Sequence, residues 1–439
     1  MKLSTSDESA IVVAIAEILD EAKVSPSGRP LFAKGRDAAT SIKPQIGSEL
    51  HDRIADTCGE LGLYDFVRHS LTRELLALDL KRGRRNLSSV EGYEDNLRTA
   101  KRLLEKLRES PQKIEVISPL PLGYSGILLN GVDELQLGDG VSIKSAEKAV
   151  GDLSREFASR NLRQNILRSV DLEKFPTVGT HFFCTWHTAF VGGFVGNPAL
   201  QAHQDKLRSL HGCLLALGVV EEDFWFDRHS QYAILGADNS SSEGGSIVIA
   251  DKVDTDLSYF YENFDVTLPF FKEPETSEDA DHDDDGEANF EKEWALLDED
   301  EKRLQKNTIE DVKKIFRKDD HSRKLITSSL WLFRSFVSSK SLDIILESTI
   351  ALEVLLGDRN EASGIGLTKL LANRCAYLLG DSDESRRSLM EEFKSIYEIR
   401  SGIVHSGLHQ TGSKASKASE GARDLAGRVL RKELDIAAG

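Results

Sequence analysis

The amino-acid sequence predicts an α+β protein of several domains, with helical regions at both ends and a mixed α/β region between them. Apolar residues recur at three- and four-residue spacings before residue 110 and again after residue 303, which is typical of helices that bury one face. Between residues 111 and 272 the chain changes to short β-branched runs separated by Gly and Pro, which is typical of strands. A strongly acidic segment separates the strand-rich region from the second helical region.

The overall size and charge limit the possible classes of protein. The chain has 439 residues, which is enough for two or three domains, and its content of 40% hydrophobic and 29% charged residues is that of a globular protein. The formal net charge is −17. Such an acidic chain is not expected to coat nucleic acid through bulk positive charge.

The cysteines and the apolar runs indicate a cytoplasmic protein. The four cysteines, Cys58, Cys184, Cys213 and Cys375, are scattered and form no C-x-x-C pair, so neither a disulfide framework nor a zinc ribbon is indicated. The first apolar run is broken by Glu17 and lacks a small-residue cleavage site, unlike a signal peptide. Because no run approaches the roughly 20 apolar residues of a membrane span, we expect no contact with a membrane.

Residues 1–110 are predicted to form a helical N-terminal region. Their helical stretches are "SAIVVAIAEILDEA", "GSELHDRIADTCGELGLYDFVRHSLTRELLAL" and "NLRTAKRLLEKLRES". Each places apolar residues at three- and four-residue spacings. These helices are expected to pack on one another.

Residues 111–272 are predicted to form an α+β domain that senses a trigger or selects a substrate. The expected strands are "KIEVISPL", "SGILLNGV", "DELQLGDGVSI", "THFFCTWHTAFVGGFV", "SQYAILGA", "GGSIVIADKV" and "NFDVTLPFF". Helices are expected over residues 146–167 and in "NPALQAHQDKLRSLHGCLLALGVV".

Residues 273–302 are predicted to be an acidic linker or loop. They contain 15 acidic residues and 2 lysines, and this charge cannot be neutralised locally. The run "DADHDDDGE" offers carboxylate oxygens to calcium, but its spacing departs from that of an EF-hand loop. A solvated linker is the favoured interpretation.

Residues 303–439 are predicted to form a compact helical bundle. Amphipathic periodicity runs through "NTIEDVKKIFRK", "SRKLITSSLWLFRSFVSS", "LDIILESTIALEVLLGD", "GIGLTKLLANRCAYLLGD" and "ESRRSLMEEFKSIYEIRSGIVHSG", and a last helix is expected from Lys417 to Ile436. With 23 Lys and Arg against 19 Asp and Glu, this is the only mildly basic part of the chain.

Several common catalytic motifs are missing from the sequence. There is no G-x-x-x-x-G-K-[ST] phosphate loop, no dinucleotide fingerprint and no G-x-S-x-G elbow. A metal site from His181, Cys184 and His187 is disfavoured, because in a strand Cys184 points away from the two histidines. His203, His211 and Cys213 follow at irregular spacing. We expect no metal site and no cofactor.

The stretch "YEIRSGIVHSG" places an arginine and a histidine near the end of a predicted helix. Five residues of α-helix turn through about 500°, so Arg400 and His405 lie about 140° apart around the axis. Spacing alone therefore does not make them a pair, and R-x-x-x-x-H is a weak pattern by itself. Ser401, in contrast, lies on the same face as His405.

The sequence before this stretch contains further elements that support a functional interpretation of the motif. From about residue 328 to 407 the sequence contains an "ALEVLL" helix, an "ANRCAYLLG" helix with a central arginine, and a tyrosine three residues before the R-x-x-x-x-H motif. A polar residue, Ser401, follows the motif arginine. In these elements the region resembles the HEPN domain family, and within it the Apea-like HEPN branch. The resemblance covers a quarter to a third of the chain.

The resemblance implies a helical bundle that forms homodimers and cleaves RNA without a metal, as an endoribonuclease in bacterial antiviral defence or toxin-like growth arrest. The 2′-OH of RNA would supply the nucleophile. His405 would move protons as general base or acid, and Arg400 would hold the phosphate. Tyr397, Ser401 and Glu398 are the candidates for supporting roles.

The expected partners are RNA, including tRNA, a second copy of the chain and a phage-derived trigger. If two bundles pair, basic residues are expected to line one groove for RNA; the candidates are Arg323, Lys324, Arg334, Arg386 and Arg387. The alternative is a catalytically silent HEPN module that acts in dimerisation or in nucleotide or RNA binding.

Overall fold

The structure is a computed structural model. It describes residues 3–24, 30–32, 46–58, 62–76, 85–87, 90, 93, 95–109, 112–120, 132–145, 148, 181–189, 198–219, 246–250, 259–261, 299–338, 340–357, 366–406 and 413–437. The described part is mostly helical and contains two antiparallel sheets, in agreement with the predicted α+β class. No helix in these ranges is both long and apolar enough to cross a membrane.

The described residues of the N-terminal region form four helices: α1 (Thr5–Asp20), α2 (Ser48–Cys58), α3 (Leu63–Leu76) and α4 (Asn96–Glu109). Helix α1 begins with a capping box, in which the Ser4 and Asp7 side chains each accept a hydrogen bond from the other residue's backbone N–H. The second predicted helix is divided into α2 and α3. Gly62, just before α3, has a φ of +54°, a conformation that glycine adopts without strain and that does not continue a helix.

Two sheets are present in the described residues. The strands β1 (Ala22–Val24), β2 (Pro30–Phe32) and β3 (Arg85–Asn86) form a small sheet in the order β2-β1-β3. The larger sheet has the order β5-β6-β7-β4-β8-β9, with β4 (Gln112–Leu120), β5 (Glu134–Gly138), β6 (Val141–Ser145), β7 (His181–Ala189), β8 (Ser246–Ala250) and β9 (Tyr259–Tyr261). All its neighbouring strands are antiparallel.

Seven more helices lie in the parts of the chain after residue 110 that the structure describes. They are α5 (Pro198–Ala216), α6 (Glu299–Ile315), α7 (Asp320–Val337), α8 (Ser341–Leu356), α9 (Leu367–Leu379), α10 (Asp383–Ser406) and α11 (Ser413–Ile436). Helix α11 begins four residues before the predicted start, and α6 takes in the last residues of the predicted acidic segment.

Some predicted elements lie outside the described residues. They are the strands "SGILLNGV", "SQYAILGA" and "NFDVTLPFF", the acidic residues 273–298 with their candidate calcium run, and almost all of the helix expected over 146–167.

The buried apolar residues form two cores. One contains residues of the N-terminal helices and strands between Ile11 and Leu107. The other runs from Leu120 to Leu434 and joins the larger sheet, α5 and helices α6 to α11. The strand-rich region and the C-terminal bundle therefore share one hydrophobic core, although a change in sequence composition separates them.

The second core depends on a close helix crossing. A Cβ atom added at Gly212 of α5 would lie 1.9 Å from the backbone oxygen of Ser329 in α7. Only a residue without a side chain allows the two backbones to approach this closely. The Ser209 hydroxyl of α5 also donates a hydrogen bond to the Ile326 carbonyl of α7, at 2.8 Å.

Candidate active site

Helix α10 carries the Arg-x-x-x-x-His motif. Its residues Leu389, Phe393, Ile396 and Tyr397 are buried at spacings of three and four, so they form the face that packs into the bundle. Arg400 follows Ile396 by four residues and Tyr397 by three, which places it where the buried face meets the surface. Its side chain is accordingly 21% exposed.

The guanidinium of Arg400 is held by a residue from another helix. Nη2 of Arg400 lies 3.2 Å from Oε1 of Glu353, in α8. The hydroxyl of Tyr397 donates a hydrogen bond of 2.8 Å to the same oxygen. The guanidinium carbon also lies 5.4 Å from the centre of the Tyr397 ring, within the range of a cation–π interaction. The three side chains thus form one cluster that joins α8 to α10.

This arrangement does not satisfy every donor of Arg400. Within the described residues, its buried Nε–H has no hydrogen-bond partner. A buried donor without a partner costs about 1–3 kcal/mol, so the arginine is not placed here to maximise stability. Buried polar groups of this kind are often found where a side chain has a functional role.

Tyr397 acts in this cluster as a neutral hydrogen-bond donor. Burial and its hydrogen bond to the Glu353 carboxylate raise the pKa of the phenol to about 12. The phenol therefore keeps its proton at neutral pH. Its ring also stacks on that of Phe393, with ring centres 5.7 Å apart, which fixes its position in the bundle.

Positive charge surrounds the end of α8 that carries Glu353. Nη1 of Arg374, the central arginine of "ANRCAYLLG", donates a 2.6 Å hydrogen bond to the Leu356 carbonyl. Nζ of Lys324 lies 3.4 Å from the Gly357 carbonyl. These cations satisfy carbonyl groups that the helix itself leaves free and oppose the negative end of its dipole.

His405 does not join this cluster. It is exposed in the last turn of α10, about 7.5 Å further along the helix axis than Arg400 and about 140° around it. Within the part of the chain that the structure describes, no side chain hydrogen-bonds to its ring. The predicted supporting residues also lie outside the cluster. In the same described part of the chain, no side chain hydrogen-bonds to Ser401, which is half-buried, or to Glu398, which is exposed.

The five predicted RNA-binding residues are spread over the bundle. Arg323 and Lys324 begin α7, whereas Arg334 lies in its last turn, about 16 Å further along. Arg386 and Arg387 lie in the first turns of α10, about 20 Å from Arg400. Of the five, only Lys324 lies at the helix end that carries Glu353. A common groove formed by two copies stays a prediction.

Some of these basic residues already have partners within the chain. Arg386 donates from Nε to the Gly380 carbonyl at 3.2 Å and lies over the Tyr377 ring at 5.0 Å. Arg323 pairs with Asp320, and the Arg334 guanidinium lies 4.6 Å from the centre of the Trp331 ring. RNA would have to compete with these contacts or use the remaining donors.

The described histidines of the central region are buried or half-buried: His203 and His211 lie in the interior, and His181 and His187 are half-buried. Strand β7 pairs with β4 in a continuous register, so it has no bulge that would bring Cys184 to the side of His181 and His187. The Thr185 hydroxyl instead lies 2.7 Å from both His187 Nε2 and His203 Nδ1. In the described ranges no group of three or more His, Cys, Asp or Glu side chains could hold a metal ion.

Glu353 is the site residue that sequence reasoning missed. It lies 44 residues before Tyr397, and helical periodicity relates only residues of one helix. One signal was present in the sequence. An acidic side chain in the last turn of a helix, here with no basic residue in that turn, is disfavoured by the helix dipole, so it needs a compensating partner from elsewhere.

Comparisons with models of protein families, with curated proteins and with solved structures returned no match. The chemistry of the site must therefore be argued from its own residues, together with the resemblance of its motifs.

Proposed function

We propose that the chain is a metal-independent endoribonuclease of the HEPN type, with Arg400 and His405 as its catalytic residues. The observation that carries the proposal is that Arg400 is held in place by side chains of its own chain. Glu353 and the Tyr397 ring hold a partly exposed guanidinium on the helix that carries the family-like motif and that ends with the exposed His405. A cation held at the surface in this way is suited to bind a phosphate.

The proposed reaction uses the 2′-OH of RNA as the nucleophile. His405 accepts the proton of the 2′-OH, the oxygen attacks the neighbouring phosphorus, and the P–O5′ bond breaks. The departing 5′-oxygen takes up a proton from water and His405 releases its proton to water, so the products are a 2′,3′-cyclic phosphate and a 5′-OH. Arg400 stabilises the extra negative charge on the phosphoryl oxygens during the attack.

Two copies of the chain are proposed to form the complete cleft. Within one chain, Arg400 and His405 point about 140° apart around α10, so a single copy does not direct both at one phosphate. A second copy related by two-fold symmetry would supply the missing group from its own α10. The exposed Val404, beside His405, is an apolar residue that such pairing would cover.

The test is cleavage of total RNA by the purified protein in excess EDTA. Arg400→Ala and His405→Ala should each lower the rate by roughly 100-fold or more, the usual cost of losing a general base or an oxyanion donor. Arg431→Ala, which removes an exposed arginine of α11, is the matched control and should cleave normally. Equal cleavage by the wild type and both motif variants would refute the assignment.

A catalytically silent module is the second candidate, and one observation favours it. The Arg400 guanidinium already has a carboxylate partner in Glu353, so it is neutralised within the chain. This candidate predicts RNA binding or dimerisation without cleavage by the wild type. Mapping of RNA ends, with 2′-deoxy RNA as the uncleavable control, separates the two.

The biological setting rests on the resemblance alone. We propose a cytoplasmic enzyme of bacterial antiviral defence or growth arrest, with tRNA among its substrates and a phage-derived trigger sensed by residues 1–272. Sequencing of the 5′ ends that the wild type produces and His405→Ala does not produce would identify the substrate.

A further inference from the structure

Glu353 occupies a position that its own helix disfavours. It lies in the last turn of α8, where the free carbonyl groups carry partial negative charge. Lys324 and Arg374 bind the Gly357 and Leu356 carbonyls of this end and reduce the repulsion. A lysine or alanine at residue 353 would suit the helix better. A purpose other than helix stability is therefore indicated.

The contacts of Glu353 indicate that purpose. Its Oε1 atom accepts a hydrogen bond of 2.8 Å from the Tyr397 hydroxyl and lies 3.2 Å from Nη2 of Arg400. Tyr397 and Arg400 are one helical turn apart on α10, so a single carboxylate oxygen fixes both side chains relative to α8. The Tyr397 ring lies beside the guanidinium and further restricts the orientations that the Arg400 side chain can adopt.

The contact also decides which donors of Arg400 remain for a ligand. A guanidinium has five N–H groups in a rigid plane. Nη2 forms an ion pair with Glu353 at 3.2 Å, and Nε is buried. The Nη1 group is the part of the guanidinium that remains for a phosphate. Without Glu353, the long side chain would sample other rotamers and present this group only part of the time.

We propose that Glu353 is a positioning residue for the phosphate-binding arginine: it holds Arg400, with the help of Tyr397, in the orientation that stabilises the transition state. This inference rests on the proposed function. It assigns Glu353 no contact with RNA. It therefore predicts that removing the Glu353 charge slows cleavage without weakening RNA binding. Cleavage slows because Arg400 is no longer held in its orientation, and binding is kept because the site loses a negative charge that repels RNA.

The decisive variant is Glu353→Gln, which removes the charge and keeps the size and an oxygen for Tyr397. Single-turnover cleavage of a fluorescent oligoribonucleotide should fall at least tenfold. Affinity for the same oligonucleotide with a 2′-deoxy residue at the cleaved position should stay equal or increase. Glu353→Asp should recover part of the rate, since it restores the charge.

The matched control is Glu347→Gln on the same helix. Glu347 is half-buried and accepts a 2.6 Å hydrogen bond from Ser338, so its loss tests the general effect of removing a partly buried carboxylate from α8. It should leave both cleavage and binding unchanged. Faster cleavage by Glu353→Gln would overturn the proposal and make Glu353 a competitor of the phosphate. Parallel losses of cleavage, affinity and melting temperature would overturn it in favour of a purely structural role.

A second measurement keeps this inference separate from the proposed function. In a thermal double-mutant cycle, Glu353→Gln and Arg400→Gln should each lower the melting temperature, and the double variant should lose less than the sum. If the wild type cleaves no RNA, the nuclease proposal fails, and the cycle still reports whether the pair exists. Additive losses of melting temperature in the cycle would contradict the interaction between Glu353 and Arg400.

Discussion

At the scale of single residues, the candidate site joins side chains of two helices. Arg400 and Tyr397 lie three residues apart in one motif of α10, so their spacing is visible in the sequence. Glu353 was missed, because the contact that links it to them is formed between helices that only the folded chain brings together. The role of His405 stays a prediction, and the structure leaves it apart from Arg400, as the helical angle indicates.

The buried histidines His203 and His211 and the half-buried His187 predict how stability depends on pH. Burial lowers the pKa of His187 to about 4 and that of His211 to about 3 from an ordinary 6.5, and it lowers the pKa of His203 well below its usual range. Each ring is neutral in the folded protein and protonated in the unfolded chain between these values and pH 6.5. The unfolded state binds more protons there, so stability falls as the pH drops from 6.5 towards 4.

The measurement is the free energy of unfolding in urea at several pH values between 7 and 4.5. Each such histidine contributes a slope of up to about 1.4 kcal/mol per pH unit. Burial raises the pKa of Glu347, Glu392 and Glu433, which contributes in the opposite direction. The variant His211→Gln isolates one histidine, because its slope should be flatter than that of the wild type whatever its absolute stability. An unchanged slope would contradict the prediction for His211.

At the scale of helices and strands, periodicity predicted most of the described elements. The helices α5 and α9 lie within the expected stretches, and α7, α8 and α10 begin one or two residues before theirs, because each has an apolar face whose spacing the sequence displays. Periodicity does not show which faces meet or how closely. The crossing of α5 and α7 depends on Gly212, which the sequence presents as one of 33 glycines.

This crossing leads to a prediction about two glycines. In Gly212→Ala, the new Cβ would lie 1.9 Å from the Ser329 carbonyl oxygen, so α5 and α7 must move apart. Overpacking of this kind costs typically about 1–3 kcal/mol, and backbone on the opposite side leaves little room to relax. We expect a loss of about 3 kcal/mol in the free energy of unfolding, measured by chemical denaturation.

Gly427→Ala is the matched control for this crossing. Gly427 lies in the interior of α11, where the nearest atom to an added Cβ, the Ala216 Cα, is 4.0 Å away. The same substitution should therefore leave stability unchanged or raise it by up to about 1 kcal/mol, since alanine favours a helix over glycine. If both variants lost similar stability, the close approach at Gly212 would not be the cause.

At the scale of the whole molecule, the sequence correctly indicated an α+β protein and did not reveal how its parts share a core. A change from helical to strand-like composition shows where secondary structure changes. It does not show which apolar faces pack together. Phe183 of β7 and Leu210 of α5 belong to the same core as Phe333 of α7, and a Cβ added at Gly138 would clash with the Phe316 carbonyl.

The shared core predicts how fragments of the chain behave. A fragment 303–439 lacks α5 and the larger sheet, so it would expose the apolar face of α7 that packs on α5. We expect it to aggregate or to melt without a cooperative transition. A fragment 112–439 keeps the whole second core and should melt cooperatively, at a temperature close to that of one transition of the full chain.

Circular dichroism melts of both fragments and of the full chain test this prediction, and RNA cleavage by 112–439 extends it to function. The N-terminal core from Ile11 to Leu107 is separate from the core beneath Arg400, so its removal should leave the clamp of Glu353 and Tyr397 in place. Cleavage by 112–439 would then assign residues 1–110 to regulation. Cooperative melting of 303–439 at the midpoint of the full chain would instead show that the bundle folds alone and that α5 contributes little to it.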